Sequence, residues 1–342
     1  MNSGARWQDF QLFCPACRTL LAKRQEALDC SGCHRQYPVL FGIPDLRLGP
    51  DRYLSLEDER AKAAKLQLFG QSASFDELLN YYYSITDDVA PVLATKFTAA
   101  IHASPARAVH LLARLDQPSE DSVLVDLGCG AGGTLMEAAK CFPKCVGVDI
   151  GLRWLVIAQK RFAEARIPVA LVCADVETIP FADGSFTHVI AENLLDHVHT
   201  PLTTTARASA LVAPGGQLWI TGSNRWWIGP HSAVGVWAAG LQPAWLRRVR
   251  ARLRGRVDTL RNASFVSAPM IRRIVARTLS IDAVEPRTAP ETAADTPSLL
   301  RYAVNIYSAF SAMALTRALV VAAGPAFQIL AHRPLEQKEK IT

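Results

Sequence analysis

Val123-Leu-Val-Asp-Leu-Gly-Cys-Gly-Ala-Gly-Gly-Thr-Leu135 is the stretch whose reading decides the fold. An apolar run ends in an acid, a glycine-rich turn follows, and a helix-compatible segment comes next. That order gives a strand, a tight turn and a helix N-terminus, the local architecture of a nucleotide-type cofactor site. Gly128 and Gly130 let the backbone approach a ligand with no Cβ in the way. Asp126 stands just before the turn, where its carboxylate can meet a cationic or amino-bearing group. The turn alone is ambiguous, because Gly128, Gly130 and Gly133 also satisfy G-x-G-x-x-G, the dinucleotide fingerprint. An acid ahead of the glycines repels a pyrophosphate and suits an amino group.

Outward from this turn, short apolar segments alternate with helix-compatible ones, the βαβ pattern of a parallel sheet. Val123–Leu127 reads as a first strand and Cys145–Ile150 as a second. The second carries Asp149, 19 residues after Gly130, an offset at which a carboxylate can accept two ribose hydroxyls. Val169–Val176 is the third strand, with Asp175 near its end, and Phe186–Asn193 the fourth. Gly216–Gly222 is the fifth, introduced by Ala213-Pro-Gly-Gly216; a sixth falls near Ile281–Arg287 and a seventh at Ala326–His332. Ligands of such sheets lie beyond the carboxyl ends of the strands. Asp126, Asp149, Asp175 and Asn193 all fall there. A lone Asp at a strand end is ordinarily a helix cap or a turn acceptor. Three acids at successive strand ends, in this order, point to a ligand site.

These motifs resemble the class I S-adenosylmethionine-dependent methyltransferases, of the group called methyltransferase type 11. The resemblance rests on Val-Asp126-Leu-Gly128-Cys-Gly130-Ala-Gly, Val-Gly-Val-Asp149, Ala-Asp175-Val-Glu-Thr-Ile-Pro-Phe181, Asp183-Gly-Ser-Phe-Thr-His-Val-Ile190 and Ala213-Pro-Gly-Gly216. It covers about 120–225 strongly and the flanks weakly. It implies S-adenosyl-L-methionine as cofactor. Gly128 and Gly130 would lie against the methionine part, with Asp126 on its amine. Asp149 would hold the ribose and Asp175 the adenine amino group. Ile150, Val176 and Asn193 complete the expected cofactor set.

Cys14-Pro-Ala-Cys17 and Cys30-Ser-Gly-Cys33 are separated by twelve residues. Two such pairs are the signature of a tetrahedral Zn2+ held by four thiolates. A segment under ~50 residues buries too little core to fold alone, so a metal is the expected staple. Cys30-Ser-Gly-Cys33-His34 also matches the c-type haem attachment motif. Haem attachment needs export and would leave the other pair unexplained, so His34 reads as a solvated turn residue. The segment 14–46 resembles the short zinc ribbon fused ahead of many bacterial methyltransferases. That implies a stabilising or substrate-positioning metal, since four cysteines leave no open coordination position.

The expected organisation is α/β. A zinc ribbon spans 1–50 and a helical lid 51–118. A Rossmann-like domain spans 119–335, with a seven-stranded methyltransferase sheet and helices on both faces. An aromatic and arginine-rich insertion falls at about 224–270. Half of the 342 residues are hydrophobic, enough for a sizeable core. The N-terminus lacks the apolar region of a secretory signal, and no run of ~18 apolar residues suggests a membrane span. Both features lead to the expectation of a cytoplasmic chain, whose eight cysteines serve metal binding or remain thiols. The formal charge is +6, and the basic excess is local. Ten arginines and one acid, Asp258, lie between Arg247 and Arg277. This cluster is a solvated helix or a face for an anionic partner.

A general base helps when the methyl acceptor is a hydroxyl or an acidic carbon. In Glu192-Asn-Leu-Leu-Asp-His-Val-His199, His197 is the first candidate, with Asp196 orienting it or acting itself. The alternative is that this segment caps and packs the next helix. His231, after the fifth strand, is the second candidate. Tyr82 or Tyr83 is expected to face the pocket from the lid, or to pack into a helix interface. The fourth strand lacks the Asn/Asp-Pro-Pro-Tyr/Phe motif that the family uses on exocyclic amines. The primary expectation is methyl transfer to a small-molecule or carrier-linked substrate, in biosynthesis. The alternatives are an RNA methyltransferase of the rRNA guanine type, for which nucleic acid would be the partner, and a non-catalytic cofactor-binding partner protein. An NAD oxidoreductase survives through the fingerprint overlap.

Overall fold

The computed structural model describes residues 6–24, 26–86, 89, 91–231, 235–253, 263–287 and 298–335. Part of the arginine-rich stretch, 254–262, therefore lies outside the described residues, as do Asp87 and Asp88 of the expected lid. The chain forms two compact units. The first is Met1–Ile190 with Leu211–Ala213, and the second is Ala191–Ala210 with Pro214–Thr342.

The first unit opens with a small antiparallel sheet of four short strands: β1 (Ala22–Lys23), β2 (Ala27–Asp29), β3 (Gln36–Leu40) and β4 (Ile43–Pro44). Four helices follow: α1 (Leu56–Gly70), α2 (Phe75–Ser84), α3 (Pro91–His102) and α4 (Ser104–Leu112). α1 starts where the Ser55 hydroxyl accepts from Asp58 N and three acids fill the first turn, complementing the helix dipole. α2 starts at a reciprocal capping box between Ser74 and Glu77. The Rossmann-like half then runs β5 (Val123–Leu127), α5 (Gly133–Ala138), β6 (Lys144–Asp149), α6 (Leu152–Ala165), β7 (Ala170–Cys173) and β8 (Phe186–Ala191).

The larger sheet has seven strands, the number the sequence predicts. In the first unit β5 pairs in parallel with both β6 and β8, and β6 pairs in parallel with β7. The second unit holds most of α7 (Pro201–Leu211) and of β9 (Val212–Ser223), with α8 (Ala244–Leu253), α9 (Ala268–Val275), β10 (Ser280–Pro286), α10 (Ser298–Ala312), α11 (Ala314–Ala323) and β11 (Ala326–His332). Here the pairing departs from the parallel expectation, because β11 runs antiparallel to both β9 and β10. Among the described residues, two helices lie between β10 and β11. The chain re-enters where β10 ended, with Pro286 opposite Phe327 and Arg287 N donating to Ala326 O. β9 is also longer than predicted and takes in Pro214-Gly-Gly216. Gly215 N donates to Arg333 O and Arg333 N to Gly216 O. Among the described residues no helix is long and apolar enough to cross a membrane.

The four-stranded sheet packs on the Rossmann-like half of its own unit. Leu46 N donates to Cys173 O at 2.8 Å, and Asp45 bridges Cys173 in parallel at the edge of β7. The Phe10 ring stacks on Phe186 and meets Phe181 edge-on. Arg18 donates to Ile179 O and Phe181 O. A buried ion cluster lies close by: Arg47 pairs with Asp45 at 2.7 Å, and Arg60 reaches the same carboxylate at 2.8 Å. A second cluster joins α1 to α6 through Arg153, which pairs with Asp51 at 2.9 Å and with Glu59. Tyr82 is buried against Trp154 and Tyr83 with Lys62 over its ring, so it packs into a helix interface.

The glycines after β5 divide by what surrounds them. A Cβ on Gly133 would lie 1.8 Å from Ser104 Oγ, so this glycine lets α4 close onto α5. Gly133→Ala is expected to lower stability by about 1–3 kcal/mol through overpacking, read as a lower urea midpoint at unchanged slope. A variant as stable as the parent would show that α4 yields at no cost.

Candidate cofactor-binding site

β5 delivers Asp126 and Leu127 into the turn, and both are buried. Gly128, Gly130 and Gly132 then take positive φ angles of 75°, 50° and 73°, a left-handed run that glycine adopts without steric cost. Gly128 N and Cys129 N donate to Val148 O of β6, at 2.7 and 3.1 Å. Gly130 N donates to Asp149 Oδ2 at 2.9 Å, and Gly151 N donates to Asp149 Oδ1 at 2.8 Å. One carboxylate thus fastens the glycine turn to the start of α6. Burial pushes the Asp149 carboxyl above its usual range, and the two amide donors pull it back. A carboxylate oxygen has two acceptor sites, so each Asp149 oxygen keeps capacity for a further donor. The position of a Cβ on Gly130 has no atom within 4 Å, whereas on Gly132 it would strike the Phe162 ring at 2.3 Å. Of these two, Gly130 has the bare face open to a ligand.

The third acid stands in a turn. β7 ends at Cys173, so Asp175 lies past the strand, where its Oδ1 accepts from Glu177 N at 2.8 Å and its carbonyl from Thr178 N at 3.0 Å. That is the turn-acceptor role open to any Asp. Val176 beside it is buried. Ile150 is half-buried, and its carbonyl accepts from Arg47 Nη1 at 3.1 Å, which joins the loop after β6 to the four-stranded sheet. The first unit therefore brings Asp126, Gly128, Gly130, Asp149, Ile150, Asp175 and Val176 to the carboxyl ends of β5, β6 and β7.

Asn193, Asp196, His197 and His231 belong to the second unit. Asn193 is exposed in a left-handed conformation (φ 54°), and its N–H donates to Thr221 Oγ1 at 2.9 Å. Its Oδ1 accepts from Arg287, which also donates to Glu192 Oε1 at 2.5 Å. Asp196 is buried in the short turn Leu195–His197 and takes a hydrogen bond from Ser223 Oγ at 2.5 Å. His197 is exposed. His231 is buried, with its ring 4.9 Å from that of Phe265. Burial pushes the His231 imidazole below its usual range, Asp196 works against that, and His197 and Arg247 add to it. The Asp196 carboxylate is anchored by Ser223 and felt by His231. Sequence reasoning missed Ser223, Thr221 and Arg287. All three lie at or near the ends of predicted strands, the only signal they carry. His188 is buried against Phe142 and plays no part in this cluster.

The four N-terminal cysteines converge. Their Sγ atoms lie within 4.8 Å of one another, with Cys14–Cys33 at 3.6 Å and Cys17–Cys30 at 3.3 Å. The two turns repeat each other. Arg18 and His34, each following the second cysteine of its pair, have φ 65° and 57° and donate their N–H to Cys14 O and Cys30 O. Cys14 N and Cys30 N donate to Thr19 O and Arg35 O. His34 is an exposed turn residue and no part of the thiol cluster. Hydrogen bonding to Thr19 pushes the Cys17 thiol down to about 6, while burial pushes Cys30 up to about 11.

Comparison with known proteins places this geometry. An uncharacterized methyltransferase of Mycobacterium tuberculosis is 31% identical over 131 residues, 38% of this chain and 64% of that protein. A ubiquinone biosynthesis O-methyltransferase of Chromobacterium violaceum is 30% identical over 103 residues, 30% of this chain and 44% of that one. The chain thus spans less than two thirds of the length of either relative. The structure of geranyl diphosphate C-methyltransferase from Streptomyces coelicolor A3(2) matches 67% of this chain and 78% of its own, at TM-score 0.45 and 20% identity. Residues 125–220, which hold the glycine turn, Asp149 and Asp175, match the family described as Methyltransferase domain.

Proposed function

We propose that this protein is an S-adenosylmethionine-dependent methyltransferase acting on a small-molecule or carrier-linked metabolite, with a structural Zn2+ in its N-terminal ribbon. One observation carries the reading: the glycine turn pinned by Asp149, with the bare face of Gly130 open, inside the segment that matches a methyltransferase domain. The cofactor supplies a methyl group already activated on a sulfonium. The chain's own residues bind and orient. Gly128 and Gly130 lie against the methionine part, and Asp126 takes its amine. Asp149 accepts from the ribose hydroxyls while holding the turn. Ile150, Asp175 and Val176 line the adenine. In-line transfer then needs alignment and exclusion of water more than bond activation by the protein. His231 is the better-supported base, since burial favours its neutral, proton-accepting form near neutral pH. Asp196 positions it, and His197 is the exposed alternative. The name of the ubiquinone O-methyltransferase supports a small-molecule acceptor. The organisation is a ribbon to about residue 50, a helical lid over 51–118 and the catalytic domain over 119–335.

The thiol cluster fits zinc. A tetrahedral ZnS4 centre with Zn–S near 2.3 Å has sulfur–sulfur edges of about 3.8 Å, close to the two separations above. Four thiolates complete the coordination and leave the metal a structural part.

Calorimetric titration with S-adenosylmethionine is expected to show one saturable site. Asp149→Ala and Asp149→Asn should each weaken it at least about tenfold, the loss of one charged hydrogen-bond acceptor. An absence of binding by the folded parent chain would end the assignment. The purified chain should also carry about one zinc. Cys33→Ser should lose that zinc and lower the melting temperature, as measured by elemental analysis and calorimetry. Full stability in a metal-free parent chain would remove zinc from the account.

A further inference from the structure

α8 presents its apolar side outward. Of the residues Ala244–Leu253, only Ala251 is buried. At about 100° per residue, Trp245, Val249 and Leu253 fall in one line along the helix, on the side away from Ala251. They are 64%, 47% and 82% exposed. Arg248 and Arg252 flank this line on one side and Arg250 on the other, and all three are exposed. The helix carries four arginines and no acid. Arg247 lies over the Phe265 ring, 4.5 Å from its centroid. Burial and then the charges of Arg225 and Arg248 push its guanidinium below the usual range.

The apolar surface continues beyond the helix. Ile228 and Trp237 are 65% and 58% exposed. Ala238 N donates to Ile228 O at 3.0 Å, and Pro230 bridges Trp237, so the two segments lie side by side. Gln242 Nε2 donates to Trp237 O at 2.5 Å, and Arg247 Nη1 donates to Gln242 O at 3.4 Å, which ties this pair to α8. Val236, Ala239 and Ala251 form a small core of their own, with Ala263 and Phe265 packed against it. The inner face of α8 is therefore already satisfied.

A surface helix ordinarily turns its apolar stripe toward the core. A stripe of large apolar residues at i, i+4 and i+8 on the solvent side, edged by arginines, is the arrangement of a helix lying in the plane of a bilayer interface. Tryptophan suits the headgroup level, and arginine stems lie along apolar surface while their charged ends reach outward. The unbalanced positive charge selects anionic headgroups. RNA phosphates would also attract the arginines, but Val249, Leu253 and Ile228 have no ring to stack on a base. We propose that α8, with Ile228 and Trp237 beside it, is a docking surface for an anionic lipid bilayer.

The test is co-sedimentation of the full chain with phosphatidylcholine vesicles, pure or containing about 30 mol% phosphatidylglycerol. Partition onto the anionic vesicles is expected to be at least about tenfold stronger and to weaken at high salt. Trp245→Ser/Val249→Ser/Leu253→Ser should cut it at least about tenfold, as should Arg248→Glu/Arg250→Glu/Arg252→Glu, both with unchanged circular dichroism. If the triple apolar variant fails to fold, Trp245→Ser alone decides: brominated lipid should quench the parent's tryptophan emission more than the variant's. Equal partition onto neutral and anionic vesicles would overturn the proposal. So would full vesicle binding by the apolar variants, or binding of a single-stranded RNA oligonucleotide without binding of vesicles.

Discussion

The Asp149 carboxylate is the constraint on which the rest of the first unit's chemistry depends. It accepts from Gly130 N on one side and Gly151 N on the other, tying the turn after β5 to the start of α6. Burial works against its charge, and two backbone dipoles work for it. A residue with a Cβ at Gly130 would need a left-handed backbone to keep that contact, which glycine adopts without strain. The same two oxygens are the proposed ribose acceptors. Holding the turn and holding the ligand are then one electrostatic arrangement, already organised before any ligand arrives.

Around this latch, buried charge pairs join elements of the unit that also share an apolar core. Arg153 joins α1 to α6 through Asp51 and Glu59, and Arg47 joins the four-stranded sheet to Ile150 O. Breaking one partner of such a buried pair leaves an uncompensated charge, which costs far more than the pair contributes. These pairs fix geometry next to the proposed cofactor loop. Asp45 and Leu46 also cover the edge of β7, which limits pairing with foreign strands. The cysteine turns sit at the far end of the same small sheet. Their repeated left-handed residues, Arg18 and His34, show that both loops are shaped to aim sulfur inward.

The second unit reads differently because its candidate residues are placed by contact and not by local pattern. Asp196 and His197 are adjacent in sequence, yet one is buried on Ser223 and the other faces solvent. A short turn points successive side chains in different directions. Arg287 reaches Glu192 and Asn193 across nearly a hundred residues of chain. No spacing rule could have linked them.

The sequence by itself determined the parts built from local rules. The glycine turn, Asp149 at the end of β6 and the paired cysteines each need only a few neighbouring residues, and each forms where its pattern predicts, whereas Asp175 falls in the turn past β7. Only the tertiary structure decided the antiparallel run of β11, because strand direction follows from the path of two intervening helices. It also decided that Gly130 faces open space while Gly132 and Gly133 meet Phe162 and Ser104. Likewise, the periodicity of α8 marks an apolar stripe, but only packing against Val236 and Ala239 shows that Ala251 points inward and the stripe points out. Backbone preference acts within a turn or two of the chain, whereas the neighbours that give a side chain its role come from segments the sequence keeps far apart.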